Sequence, residues 1–594
     1  MSAAHATTYS YTPTNGVGDT WAPPSLGWDA TPVSATDTAL VFGPATYTDG
    51  VAITNTNTND IGAFTLNSLT LQGAGPLTTG FPIAVTITGG TLIFDGASPT
   101  INLNATNGGG TSTVTYNVAS AMTLNATTAI AGGGNATFNL SGAIGGTGGI
   151  AKSGASVVTL SNANTYTGNT AINGGTIKIG AANNLGDSTQ ATNTISMNTG
   201  TLQSTGGTYD LGANRSITLN GAGTLQVDAG AVTVSGNVIK NANLLTVTGA
   251  GNTTISGVVS GSGGGLTKNG AGTLTLSNAN TLTGVTTLGG GTIVASNSQA
   301  FGTGGASLAI TGGGTTLNLA TDTSINAYNT AITNGTTIQS NKATAASAGI
   351  THTLGTLSIN ASTLNITAGS NVSGGAPVVA FGAVSLTGSP TFNPTTAAIT
   401  MGAATGPGAD TQVNLGGTYT TTSSSIGSIG NIGAGAVNKS TTSTWTFTGT
   451  SSYTGTTTLS SGTTIVAADN AFGTTGTLQM NGSTVILQAS GGPRIISNPT
   501  RWTPNGIIVG GSDQITLTGP FSYNISGTNF INFNNSGGTV INGAITLSEG
   551  TGGRTATFRG TGPIAINGAI QPNVGAATAQ VFRYFGSNTL TLSN

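Results

Sequence analysis

The groups able to do chemistry in this chain are few and scattered. Two histidines, His5 and His352, stand 347 positions apart (352 − 5), and neither has a second ligand at metal-binding spacing. A histidine-based metal site or catalytic triad is therefore not expected. Glu549 is the single glutamate, so paired acid chemistry would fall to aspartates. Asp210 and Asp228 lie 18 positions apart and would stack if the backbone winds with that period; paired carboxylates are what glycoside cleavage uses. No serine sits in the Gly-x-Ser-x-Gly spacing of a nucleophile elbow, and Gly263, Gly264 and Gly265 lack the Gly-Lys-Thr/Ser that completes a phosphate loop. There is no cysteine, which removes disulfides, thiolate metal sites and cysteine nucleophiles together. Catalytic, cofactor-binding and metal-binding residues are accordingly assigned to none.

The background explains this poverty. Of 594 residues only 12 are Lys or Arg and 14 Asp or Glu, 4% of the chain against about 25% in an ordinary soluble protein. Twelve scattered cations and a net charge of −2 give no basic stripe for a phosphate backbone, so no nucleic-acid partner is expected. Disorder by low hydrophobicity and high charge is excluded by the 36% hydrophobic content. The 97 glycines follow no period of three, which excludes collagen, and no apolar run is long enough for a membrane-spanning helix. Absence of cysteine suits a chain exported through an oxidising compartment. Ala4-His5-Ala6 has the small-x-small form of a signal-peptidase site, but no charged and apolar regions precede it; a trimmed leader and a plain alanine-rich start both fit.

One kind of segment repeats along the chain: four to eight residues alternating apolar with Thr, Ser or Asn, then Gly or Asn, as in Ala84–Thr88, Thr273–Leu276 and Gln514–Leu517. Period two with β-branched residues predicts strands with one buried face, and no window sustains helical spacing. Some segments are copies. Residues 145–186 recur at 261–302 without a gap, Lys152, Leu160 and Gly168 answering Lys268, Leu276 and Gly284. A third copy covers 432–473, with Lys439, Phe447, Tyr453, Gly455 and Gly462, and a partial copy covers 577–594. Full copies close on an apolar-Gly pair: Leu185-Gly186, Phe301-Gly302 and Phe472-Gly473.

Unequal spacing between copies argues against a closed propeller and for an open stack of coils, a β-solenoid whose coils shelter one another's apolar faces. Gly and Asn would form the corners, Val, Ile and Leu the core, Thr and Asn the outer ladders about 4.8 Å apart. Coils of roughly 20 to 25 residues would give about 25 coils and a rod on the order of 100 Å. Lys152, Lys268 and Lys439 are expected to lay their stems on the preceding coil and offer the ammonium to corner carbonyls, or to block edge pairing. Tyr166 and Tyr453, replaced by Leu282 in the second copy, read as packing positions. Residues 1–50, with Tyr9, Tyr11, Trp21, Trp28, Phe42, Pro13, Pro23, Pro24, Pro32 and Pro44, read as a cap on the first coil or as a sugar-stacking platform. Arg494, Arg501, Trp502, Arg554, Arg559 and Arg583 make the C-terminal part mildly basic.

Residues 261–293 resemble the autotransporter-associated β-strand repeat of bacterial surface passengers through Gly264, Gly265, Leu266, Lys268, Gly270, Gly272, Leu274, Leu276, Asn280, Gly284, Thr286 and Gly291. The resemblance implies a right-handed parallel β-helix, secreted and displayed on a Gram-negative-type cell as stalk, adhesin or surface-layer element. The expected layout is a capping segment at 1–50 and a continuous solenoid over 51–594. No translocator barrel is visible and the last residue falls inside a repeat, so a segment of a longer chain is expected. Non-enzymatic structural or adhesive work is the expected function, with self-association or cell-surface and matrix components as partners. The alternatives are a polysaccharide lyase or hydrolase and a glycan-binding module. Three or more aspartates on one concave face would favour the enzyme, and a change in tryptophan fluorescence on adding oligosaccharides would favour the glycan module.

Overall fold

A computed structural model describes residues 7–13, 16–23, 27–44, 46–48, 51–75, 81–108, 112–303, 305–408, 410–473, 475–503, 506–523, 528–550, 552–576 and 578–593. Ala4, His5, Ala6 and Pro24 lie outside these residues. The chain divides into two units, the first comprising Met1–Thr287, Gly291–Ile293 and Gln299–Ala306, the second Leu288–Gly290, Val294–Ser298 and Ser307–Asn594.

In the first unit the alternating segments become short strands that pair in parallel with the next coil. One ladder begins Thr8–Tyr11, Ala39–Phe42, Ser68–Leu71, Thr100–Leu103 and ends at Val259–Ser260. A second begins with Gly16–Thr20, Ile53–Asn59 and Ile83–Gly89 and includes Val157–Leu160 and Thr176–Ile179. A third runs from Phe64–Leu66 through Leu92–Phe94 and Met122–Leu124 to Ile144–Gly145. A further ladder opens at Thr208–Asp210. The second unit is built the same way, from parallel ladders that include Ser307–Ile310, Thr315–Ala320, Ser347–Thr353 and Arg494–Ile496. Each unit is thus a parallel β-solenoid. The one short helical element among the described residues is the 3₁₀ turn Ala182–Leu185.

Side-chain alternation explains why these sequences wind. In Thr176–Ile179 the two isoleucines are buried while Thr176 and Lys178 face outward, and most strands share the pattern. Outward asparagines in register bond to each other, Asn393 Nδ2 donating to Asn365 Oδ1 (2.6 Å) and Asn438 Nδ2 to Asn414 Oδ1 (3.0 Å). Coil length varies: Ile150 pairs with Thr170, 20 residues on, and Thr170 with Ile195, 25 residues on. The extra residues sit in corners, where positive-φ glycines recur.

Residues 8–42 already contribute strands to the first two ladders. Their aromatic rings point inward: Tyr11, Trp21, Trp28, Phe42 and Phe64 form one buried cluster, with centroid separations of 4.9 Å for Trp21 and Phe64 and 5.2 Å for Trp28 and Phe42. These rings do not form the sugar-stacking platform that was the alternative, because their faces fill the coil. Gly27, Trp28 and Asp29 return antiparallel along Thr8–Tyr11, with Thr12 N donating to Gly27 O and Asp29 N to Ser10 O, both 3.0 Å.

Candidate functional site

The repeat copies hold the sharpest chemistry in the chain, and it faces inward. Lys152, Lys268 and Lys439 are buried at strand positions that alternate with outward residues. Lys152 Nζ donates to the carbonyls of Ser153 (2.6 Å) and Gly154 (3.0 Å), and Lys268 Nζ to those of Asn269 (2.6 Å) and Gly270 (2.8 Å). Lys439 Nζ donates to Thr441 O and, on the next coil, to Ser461 O (2.9 Å). The expected contact with corner carbonyls is present, and the stem lies on the preceding coil inside the core, Lys152 in register with Ile130, Lys268 with Val247 and Lys439 with Leu415. An edge-blocking role is excluded. Burial pushes all three amines down to about 8, with no ionised neighbour contributing. The glycine roofing this nest has to be glycine: Gly175 and Gly462 have φ of 63° and 72°, and a Cβ on either would lie 2.8 Å from the lysine Nζ.

Each copy also ends a ladder, and one polar residue closes the end. The strands at 144–145, 259–260 and 429–430 are the last of their ladders, because the following coil passes through an irregular stretch there. Asn164 and Asn280 substitute for the missing strand. Asn164 Oδ1 accepts Ile144 N (2.8 Å) and its Nδ2 donates to Asn184 O (2.6 Å). Asn280 does the same between Val259 N (2.8 Å) and Ala300 O (2.6 Å). In the third copy Ser451 Oγ accepts Ile429 N (3.0 Å), the acceptor half of the clamp alone. Tyr166, Leu282 and Tyr453 fill the space beside it and are buried, as their packing role requires. Tyr166 Oη lies 2.7 Å from Thr170 Oγ1, and Tyr453 bonds Thr457 likewise. Leu282 cannot, and Thr286 Oγ1 is left without a partner among the described residues. Leu185, Phe301 and Phe472 are buried, and the glycine after each packs against the carbonyl of Tyr166, Leu282 and Tyr453 respectively.

The remaining candidates stay apart. Asp210 is in register with Thr233 and accepts from Gly212 N and Ser235 Oγ, whereas Asp228 accepts from Gln203 and Gln226. The two do not stack, because the coil at that point is longer than their 18-residue separation. His352 is buried with Nε2 2.8 Å from Asn341 O, and burial lowers its pKa so that it is neutral near pH 7. Glu549 pairs with Arg501 (2.8 Å) and accepts from Ser522, while Trp502 is buried. Among the described residues no three His, Cys, Asp or Glu side chains gather as metal ligands, and no helix is long and apolar enough to cross a membrane.

Two fully buried cations, Arg215 and Lys240, carry no repeat signal and were not singled out from sequence. Arg215 is wholly buried, its guanidinium donating to Asn193 Oδ1 and to the carbonyls of Ala182, Leu185, Gly186 and Leu211. Lys240 is buried too, donating to Gly264 O (3.0 Å) at the second copy. Their isolation in a nearly charge-free sequence was the available signal.

Residues 150–179, 266–295 and 438–466 match the passenger-associated-transport-repeat family. The chain carries passenger-associated-transport repeats. Each matched stretch spans the buried lysine, the ladder-ending Asn or Ser and the first strands of the next coil, so this repeat is one coil plus the start of its successor. The partial copy at 577–594 is outside the matched residues. Over 80 residues the chain is 45% identical to the protein described as adhesin BmaC autotransporter from Brucella suis biovar 1 (strain 1330), 14% of this chain and 2% of that protein. The chain thus aligns with only a small fraction of that relative's length. No solved structure matches it.

Proposed function

We propose that this chain is a stretch of a secreted, cell-surface β-solenoid of a Gram-negative bacterium, non-enzymatic, working as structural and adhesive scaffold. The observation that carries the reading is where the polar groups go. The repeat lysines, asparagines and Arg215 face inward and bond backbone carbonyls or amides, leaving outer faces of Thr, Asn and Ser. Side chains committed to the backbone are stitching, because a catalytic group has to meet substrate. The passenger-associated-transport repeats and the adhesin relative support display and contact with other surfaces, including matrix components, glycans or a second copy. The return of Gly27–Asp29 along the first strand serves as the N-terminal cap, since it covers backbone groups that a bare edge would offer to other chains.

The test is to display the chain on a non-adherent bacterium and measure attachment to matrix-coated and glycan-coated surfaces, together with release of reducing ends from soluble polysaccharides. Raised attachment without depolymerisation is the expected result. Depolymerisation of any polysaccharide, or attachment no greater than the carrier's, contradicts the reading.

A further inference from the structure

We propose that the repeat coils are the joints at which each solenoid unit opens first, and that the proton on the repeat lysine sets how readily they open. Two observations coincide at these coils and nowhere else in their ladders. The first is the interrupted ladder: strand pairing stops at Ile144–Gly145, Val259–Ser260 and Ile429–Gly430, and side-chain clamps replace part of the lost backbone pairing. The second is a buried ammonium whose bonding partners are neutral carbonyls. A charge taken into the core without a counter-ion opposes closure of the coil, and carbonyl dipoles offset only part of that penalty. Local opening starts where backbone pairing is thinnest and burial least favourable.

No titratable side chain faces these amines from the strands packed on them. The register partners beneath are Ile130, Val247 and Leu415, and those above Lys152 and Lys439 are Ile172 and Leu459. The neighbouring strands Val157–Leu160, Thr273–Leu276 and Thr444–Phe447 carry none. Tyr166 and Tyr453 in the same coils are held protonated by burial, Tyr166 up to about 12 and Tyr453 upward. Lys240, at the second copy, is a further buried amine shifted downward by burial.

The direction of the pH effect follows from the displaced amine. A lysine at about 8 in the closed coil and 10.5 when open keeps its proton in both states below pH 8, where the penalty is complete. Above pH 8 the open state binds more protons, so raising the pH favours closure until about 10.5. Between pH 7 and 9 one such lysine raises the closing constant about tenfold. Above about pH 10 the buried tyrosines, raised in the folded state, act in the opposite sense, so the effect is read below that.

Amide hydrogen exchange of the full chain at pH 7 and 9, expressed as protection relative to intrinsic exchange, tests this. At pH 7 residues 150–179, 266–295 and 438–466 should be less protected than strands Val114–Val118, Thr137–Leu140 and Thr363–Ala368. At pH 9 their protection should rise about tenfold while those control strands hold. In K152M/K268M/K439M the rise should vanish. If that variant does not fold, the wild-type pH comparison decides by itself. Repeat coils whose protection changes less than twofold between the two pH values, or rises equally in the control strands, overturn the proposal.

Discussion

Leu282 is the clearest residue-scale experiment already present in the chain. Tyrosine at the equivalent positions 166 and 453 bonds a threonine four residues on, and leucine at 282 leaves Thr286 Oγ1 buried without a partner among the described residues. Because the same pocket holds a phenol in two sister coils, Leu282→Tyr should fit and regain a net hydrogen bond. The expected gain is about 1 kcal/mol, read as increased exchange protection across residues 266–295. A loss of protection would show that the second copy has repacked around the smaller side chain. At this scale the sequence was legible where residues recur: the packing role of Tyr166 and the carbonyl partners of Lys152 follow from position in the copy. Burial of the lysine stem was not, because a charged residue on the apolar side of a three-residue strand reads equally as the point where the alternation stops. Arg215 and Asn193 escaped for a related reason, each occurring once with no sister to compare.

At the scale of elements, the repeat is a device for ending a ladder without leaving a bare strand edge. An amide at a strand end needs an acceptor once the next strand is missing, and the motif asparagine supplies one while its own amide nitrogen reaches the coil above. Asn280→Ala should expose both Val259 N and Ala300 O to loss of their partners, at a penalty of about 2 to 4 kcal/mol. Ser451→Ala removes only the acceptor for Ile429 N and should lose about half as much. Denaturant midpoints of the coil, followed by exchange at Val259 and Ile429, distinguish the two; equal losses would mean that the donor half of the clamp contributes nothing. Strands and their apolar faces were readable from period two, whereas ladder ends were not. Whether a segment such as residues 161–168 pairs as strand depends on corner geometry, and that is set by Asn164, Tyr166 and Gly186 acting across different coils.

For the whole molecule, internal repetition counted for more than any single residue. Copies at a fixed internal pattern but unequal spacing predicted stacked coils, and parallel pairing in register with the next coil is what both units display. The N-terminal aromatics left two readings open, a cap on the first coil and a sugar-stacking platform, because composition does not report burial, and the rings prove to be buried. A chain without native cysteine allows the stacking to be read directly from disulfides. In the first unit Thr159 is in register with Lys178, and in the second Asn365 with Asn393. Partners one coil apart have Cα atoms about 4.8 Å from each other, within disulfide range, whereas a two-residue offset takes them to about 8 Å, beyond it. Under mild oxidation the cysteine pairs T159C/K178C and N365C/N393C should therefore close, while T159C/T176C and N365C/T391C remain reduced; closure of the offset pairs, or failure of those in register, would contradict a parallel solenoid in that unit.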